Sequence, residues 1–460
     1  MHGRYDNTAP FWFPQTGHVR IKVAKCSSLS GNANMESFGK YEILKELGSG
    51  ATSNVYLALD LFSNQQVALK VFKSEVFGQG RTGKAFHKQL LVESSLAGKL
   101  SHPHIVKIID AVLEEDQHYM VMEYFEGETL ERLAEVDHLM PPERIAEIIY
   151  KCCKALEYAE SRGVIHRDIK PANILIQGES EIKISDFGAA MLENQQSTQV
   201  SGLGSPAYMS PEQVKEQTLT HQTDIYSLGV TMYRLLTGKL PFDAANRYSM
   251  LYQIVNIEPQ PPSTYRPDLP PEMDAIVMKA MCKDTAHRYQ TWGDFARDLV
   301  AFISFSVPQQ EDFYDTEKFD ALRALTFFKQ FTDVELWEVV RISEWHKLRE
   351  DVSILDEGED GRSFFVIASG SVRIAKQGRL LSLLHQGDCF GEMVHYSDVD
   401  AKRSTDAIAK TDVVLIEVEP ETLEIASPNC RYRFTEAFLR VLVKRLAVAN
   451  TRISHLLSEN

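Results

Sequence analysis

Apolar residues group into short strand-like runs near the start of the chain, helical runs through its middle, and short strand-like runs again towards its end. Residues 41–47, 55–59 and 67–72 read as strands, the first two joined by a glycine-containing turn. Residues 85–100 predict a helix. Residues 143–159 predict a longer one, with Ile145, Ile148, Ile149, Cys152 and Leu156 on one side. A mostly helical region continues to about residue 303. Residues 304–318 hold Pro308, two glutamines and several acids, the composition of a linker. Beyond it, residues 352–355, 364–367, 371–375, 380–384 and 413–418 are short strands punctuated by Gly358, Gly361, Gly370, Gly378 and Gly387. That even spacing predicts a small β-barrel or jelly roll. Residues 431–457 predict a helix carrying Leu439, Leu442, Leu446, Ala449, Ile453 and Leu456 at alternating steps of three and four. Such a stripe suits a coiled-coil seam or a helix laid on the barrel. Residues 1–38 show no periodicity beyond the aromatic cluster Phe11-Trp12-Phe13 and read as a tail.

Composition narrows the class. A chain of 460 residues suits two or three domains, each able to bury a core. Acidic residues outnumber basic ones, 64 to 49, and the net charge is −15. A protein that coats nucleic acid needs a basic footprint, so this balance argues against one. The six cysteines are scattered without a CxxC pair, which argues against a zinc site or a disulfide framework. No apolar run reaches the roughly 18 residues of a membrane span, and the N-terminus has no signal-peptide pattern. The expected location is the cytoplasm.

Phosphoryl transfer asks a protein for positioned phosphates, metal ions and a base that orients the attacking hydroxyl. The turn Leu47-Gly48-Ser49-Gly50-Ala51-Thr52-Ser53-Asn54-Val55 offers backbone N–H groups to a triphosphate, with Ser53 standing where a third glycine would fall. In Val67-Ala68-Leu69-Lys70 the lysine can hold the α- and β-phosphates, aimed by a carboxylate for which Glu93 is the candidate. The strand ending Met122-Glu123-Tyr124-Phe125 can present the Glu123 carbonyl and the Phe125 N–H to an adenine edge. His166-Arg167-Asp168-Ile169-Lys170-Pro171-Ala172-Asn173 follows, then the strand Ile174-Leu175-Ile176 and Asp186-Phe187-Gly188. Asp168 would accept the hydroxyl proton and Lys170 neutralise the γ-phosphate. Asn173 and Asp186 are hard oxygen ligands suited to magnesium, with manganese an alternative. Leu47, Gly48, Ser49, Gly50, Val55, Ala68, Lys70, Glu123, Phe125 and Leu175 form the candidate ATP site.

These motifs resemble the eukaryotic-type (Hanks-type) protein kinase domain over residues 41–303. Ser210-Pro211-Glu212 resembles the family's Ala-Pro-Glu, Asp224 its buried helical aspartate, and Arg288 the arginine that pairs with the glutamate. Lys170 and Ser205 resemble the serine/threonine-specific branch. The resemblance implies that Arg167 pairs with a phosphate on the activation loop, for which Thr198, Ser201 and Ser197 are the candidates.

Residues 319–458 resemble the cyclic-nucleotide-binding domain family. Gly387-Asp388-Cys389-Phe390-Gly391-Glu392-Met393 and Arg403-Ser404 resemble its phosphate cassette. The resemblance implies N–H groups near Gly391 and the Arg403 guanidinium on a cyclic phosphate, Glu392 on the ribose 2′-hydroxyl, and Ser404 on phosphate or purine. Asp406 would bring unfavourable negative charge near that phosphate. The terminal helix resembles the dimer helix of the catabolite activator protein group. With the chain ending at Asn460, a DNA-binding regulator is not expected.

The expectation is therefore an α+β protein: a bilobal protein kinase fold, then a small β-barrel or jelly-roll domain with a C-terminal helix. Its boundaries are a tail at 1–38, a kinase domain at 41–303, a linker at 304–318 and the second domain at 319–458. Its function would be ATP- and magnesium-dependent phosphorylation of protein serine or threonine, with autophosphorylation and regulation by cAMP or cGMP. The alternatives are a constitutive kinase whose barrel only dimerises, a non-catalytic scaffold, and a cytosolic metabolic kinase. The partners expected are a protein substrate, ATP, a cyclic nucleotide and a second copy of the chain.

Overall fold

The computed structural model describes residues 37–50, 52–73, 91, 95–96, 98–114, 117–136, 139–178, 180–187, 191–192, 206–306, 313–392 and 402–458. The tail, Glu93, most of the 85–100 helix, and Ser197, Thr198, Ser201 and Ser205 lie outside the described residues.

The first lobe is an antiparallel sheet in the order β1-β2-β3-β4-β6-β5. Its strands are β1 (Ser37–Phe38), β2 (Tyr41–Ser49), β3 (Ser53–Asp60), β4 (Gln65–Phe72), β5 (Ile108–Glu114) and β6 (Gln117–Glu123). The 85–100 helix falls short of its predicted end, because Gly98 adopts φ +73° and residues 98–99 form a turn. Two small sheets follow, from β7 (Glu128–Thr129), β8 (Val164–Ile165), β9 (Ile174–Gln177), β10 (Glu181–Ile184) and β11 (Met191–Leu192).

The second lobe is helical. Helix α1 (Pro142–Ser161) buries Ile145, Ile148, Ile149, Cys152 and Leu156, the stripe its periodicity predicts. The short α2 (Pro211–Val214) starts in a capping box, in which Ser210 and Gln213 satisfy each other's backbone N–H. Then come α3 (His221–Thr237), α4 (Arg247–Asn256), α5 (Pro271–Ala280) and α6 (Trp292–Ser306).

The predicted linker is helical at its ends: α6 runs to Ser306, and α7 (Asp315–Ala324) begins four residues before the expected start of the second domain at 319. Among its described acids, Asp315 is a contact rather than linker polarity, since it is bonded to Lys151 of α1. Helix α8 (Asp333–Ile342) leads into the second domain. There, β12 (Ser343–Leu348), β13 (Ser353–Leu355), β14 (Phe364–Ser369), β15 (Ser371–Lys376) and β16 (Arg379–His385) are followed by β17 (Cys389–Phe390), β18 (Asp406–Ala409) and β19 (Val413–Val418). They form two antiparallel sheets, β12-β19-β14-β17 and β13-β18-β15-β16. Helices α9 (Pro420–Ile425) and α10 (Pro428–Ser458) close the chain.

The unbroken burial of Phe364 to Ala368 has a simple cause. Phe365 and Ile367 face the inside of the β-sandwich with Val372, Leu384 and Leu415. Phe364 and Val366 face the helices, where Phe364 meets the rings of Phe434 and Phe438. Strands covered on both faces lose the polar alternation. One buried apolar cluster runs from α1 through Phe319 and Trp337 to Phe364 and Phe434. The second domain is thus packed on the catalytic domain, not strung from it.

Candidate functional site

Cross-strand register brings the first group together. Val55 pairs with Lys70 across β3 and β4, and Lys70 with Met120 across β4 and β6. Leu47 and Gly48 lie on β2, and the turn is tied by Gly50 N–H donating to Ser53 carbonyl at 2.8 Å and Lys73 Nζ donating to Gly50 carbonyl at 2.6 Å. Ser53 is buried at the start of β3, so it helps form the hairpin instead of capping its tip. Lys70 Nζ lies 2.6 Å from Asp186 Oδ1. The lysine's charge holds the Asp186 carboxyl below the usual carboxylate range. Glu93 lies outside the described residues, so Asp186 is the described acidic partner of Lys70. Leu175 faces opposite to the buried Ile174 and Ile176 and is half-buried. Glu123 uses its carboxylate for Lys183 at 2.9 Å and the Lys107 N–H at 2.7 Å, which pins the connection between the lobes.

The second group is set by Asp224. Buried in the first turn of α3, it accepts the N–H groups of His166 and Arg167, both at 2.7 Å. Its burial raises its carboxyl pKa, and those N–H groups oppose the rise. The bonds hold Arg167 at φ +69°, a left-handed conformation that costs a non-glycine residue on the order of 1–3 kcal/mol. The turn then delivers Asp168, whose Oδ2 accepts from Lys170 Nζ at 2.7 Å and Asn173 Nδ2 at 3.1 Å. Asn173 Nδ2 also donates to the Asp168 carbonyl at 2.8 Å. These bonds use the amide nitrogen and leave the amide oxygen for another partner. His166 Nε2 donates to the Ser185 carbonyl, and Ser185 N–H to the Asn173 carbonyl. Asp186 follows at φ +61°. Below this group, Arg288 holds Glu212 at 2.7 and 3.2 Å, and Thr223 Oγ1 donates to the same carboxylate.

The second domain holds a cavity of about 930 Å³ lined by Gly391, Glu392, Arg403 and Ser404 together with Phe327 and one face of α10. Gly391 sits at φ +83°, and a Cβ there would lie 3.0 Å from Arg403 and 3.1 Å from the Ser363 carbonyl. Arg403 is buried; it donates to Ser363 carbonyl at 2.7 Å, Ser363 Oγ at 3.1 Å and Gly391 carbonyl at 3.3 Å. Glu392, also buried, pairs with Arg445 of α10, which reaches the Cys389 carbonyl too. Nothing in the sequence marked Arg445, because it lies between the leucines of the terminal stripe. Asp406 corrects an expectation: its carboxylate accepts the Glu357 N–H at 2.7 Å on the outer side of β18, while Ala407 faces the cavity. Strand alternation thus turns its charge away from the proposed phosphate. The terminal leucines also differ from one expected use. Leu439, Leu442 and Leu446 are exposed, and the sandwich is met by Phe434, Phe438 and Val441.

A lysine on β4 of the first sheet, a buried helical aspartate holding an Asp-Lys-Asn loop, and a following aspartate define a protein kinase fold. The chain matches the protein kinase domain family over residues 41–298 and belongs to it. It also matches the cyclic nucleotide-binding domain family over residues 345–426. It is 37% identical over 269 residues to the serine/threonine-protein kinase PknB of Mycolicibacterium smegmatis, covering 57% of this chain and 42% of that protein. It is 33% identical over 293 residues to the serine/threonine-protein kinase PrkC of Bacillus subtilis, covering 63% and 45%. The matches thus span less than half the length of these relatives. Among the described residues, no helix is long and apolar enough to cross a membrane.

Proposed function

We propose that this chain is a serine/threonine protein kinase that transfers the γ-phosphoryl group of ATP to a protein hydroxyl. The observation that carries the reading is the convergence of Lys70–Asp186 with Asp168–Lys170–Asn173 from separate elements. The hydroxyl oxygen forms the new bond to the γ-phosphorus as the bond to the bridging oxygen breaks, and ADP leaves. Asp168 takes the hydroxyl proton, and Lys170 offsets charge on the phosphoryl oxygens. Lys70 orients the α- and β-phosphates. Asp186, held ionised by Lys70, and Asn173, whose bonds to Asp168 use only its amide nitrogen, fit a divalent ion such as magnesium or manganese, which would neutralise the phosphates. Leu47, Val55, Ala68 and Leu175 would sandwich the adenine, Glu123 and Phe125 would meet its edge, and Gly48, Ser49 and Gly50 would cover the phosphates.

Cyclic-nucleotide control is the finer part of this proposal. The family match and the cavity holding Gly391, Glu392, Arg403 and Ser404 support it. Arg403 and Glu392 already have partners within the chain, so a ligand phosphate and ribose must share or replace them. A ligand that does so at a cost to α10 prefers one arrangement of that helix, which is what control requires. Autophosphorylation at Thr198, Ser201 or Ser197 and a homodimer along Leu439, Leu442 and Leu446 belong to the same proposal. The exposure of that leucine stripe supports dimerisation, which a second reading, a constitutive kinase whose sandwich only dimerises, shares.

The test is phosphate transfer from ATP to the chain itself and to a generic basic protein, with and without cAMP or cGMP, and with Asp168→Ala as the blank. Transfer that needs Asp168 and changes with a cyclic nucleotide supports the full proposal. Transfer blind to both nucleotides removes the regulatory half. No transfer above the blank from protein that binds ATP refutes the kinase activity.

A further inference from the structure

Outside the two sites, α7 and α8 pack on the catalytic domain at a joint that converges on one strand. Trp337 of α8 is 1% exposed, stacked on Phe319 of α7 at 4.5 Å between ring centres. The edge contact of Trp337 with the His104 ring is 4.6 Å. His104 Nδ1 donates to the Ile182 carbonyl at 3.1 Å, and the His104 carbonyl accepts the Ile184 N–H at 2.9 Å. Both partners are in β10. A second grip lies at the start of that strand. Lys151 Nζ donates at 2.9 Å to the carbonyl of Ser180 and at 2.8 Å to Asp315 of α7. Two residues beyond β10 stands Asp186, at φ +61°. At such a turn, a small change in how the strand leaves the sheet redirects the carboxylate.

We propose that Trp337 and Asp315 are positioning residues for phosphoryl transfer: from the helices that lead into the second domain they hold β10 at two points and so set where Asp186 presents its carboxylate. This rests on the kinase reading above and adds to it a route for control. The helical turn at Thr326–Phe328 directly follows α7 and also lines the second-domain cavity with Thr326 and Phe327. A ligand that moves this turn therefore moves α7 against Lys151. The rings of Phe327 and Phe328 also meet Phe434 of α10, so the turn and the terminal helix move together.

The experiment uses the full chain without cyclic nucleotide and reads the magnesium dependence of binding of a fluorescent, non-hydrolysable ATP analogue. Peptide-phosphorylation kcat and KM are measured beside it. Trp337→Phe keeps an apolar ring but shortens the reach to His104. Its magnesium midpoint is expected to rise roughly three- to tenfold, with kcat falling by a similar factor and the peptide KM unchanged. Phe365→Leu, inside the sandwich and away from the joint, loses packing of the same kind and is expected to leave the midpoint unchanged. Asp315→Asn tests the other grip and is expected to shift the midpoint the same way; it carries the test alone if Trp337→Phe does not fold. The proposal is overturned if the joint variants keep the wild-type midpoint, or if Phe365→Leu shifts it equally. Wild-type protein that binds the analogue without magnesium dependence would overturn the kinase reading as well, a different result from unaltered variants of a magnesium-dependent protein.

Discussion

Lys151→Met offers a measure of how firmly the two domains are joined. The lysine is 1% exposed and answers two carboxylates, Glu147 at 3.3 Å and Asp315 at 2.8 Å, besides the Ser180 carbonyl. Methionine fills similar space without charge, so the loss is electrostatic. It leaves two acids close together, their side chains 7% and 24% exposed, with Lys318, 3.6 Å from Asp315, as the remaining cation. Breaking a buried pair from one side costs about 3–5 kcal/mol. In a domain of this size, that lowers a thermal midpoint on the order of 10 °C. Burial pushes the Asp315 carboxyl up, but Lys151 and Lys318 together outweigh it and hold the pKa below the usual value; burial raises Glu147. In wild type, Asp315 contributes stability above its unfolded pKa, and that stability is lost as pH falls through its folded value. Without the lysine both acids are raised, so protonation relieves the variant, and its deficit should shrink as pH falls from 7 towards 5. Urea unfolding followed by tryptophan fluorescence reads the joint, since Trp337 lies in it. Adding Asp315→Asn should recover about 1–3 kcal/mol of the loss. A deficit below about 1 kcal/mol, or a double variant no better than the single one, would refute the reasoning.

Acid should loosen the same joint by a second route. Burial lowers the His102 pKa to about 3 and takes His104 well below its ordinary value, helped by Lys183 and Arg341 around His102 and by His102, Lys151 and Arg341 around His104. The unfolded chain then binds more protons, so stability is full above pH 6.5 and falls below it by about 1.4 kcal/mol per histidine per pH unit until the folded value is reached. His104→Gln should flatten the slope of urea stability between pH 6.5 and 5; an unchanged slope would place the acid sensitivity elsewhere. Arg288→Ala leaves Glu212 buried without its guanidinium and should cost about 3–5 kcal/mol, with phosphate transfer lost in proportion to the unfolded fraction, read by circular dichroism and activity at rising temperature.

Much of the catalytic domain was legible because its chemistry is written in short strings. Asp168, Lys170 and Asn173 fall within six residues, and the turn that contains them needs only Asp224 to hold it. The stripe of α1 announced a buried face, and the even spacing of Gly358 to Gly387 announced small strands. In the second domain the pattern does not show β12, β17 and β18: β17 is too short to show a period, and β12 is mostly half-exposed and polar on its outer face.

Local pattern determined which segments are strands and helices, and which residues can carry phosphoryl chemistry, because propensity, periodicity and functional groups are properties of neighbours in sequence. Tertiary structure decided what those groups meet. It turned Asp406 outward, placed Arg445 on Glu392, left Leu439 and Leu446 exposed, and made the end of an acidic linker the start of a helix that answers Lys151. The three pairings join residues 49, 53 and 164 positions apart. Charge pairing and packing across such distances depend on where whole elements dock, which no local pattern specifies.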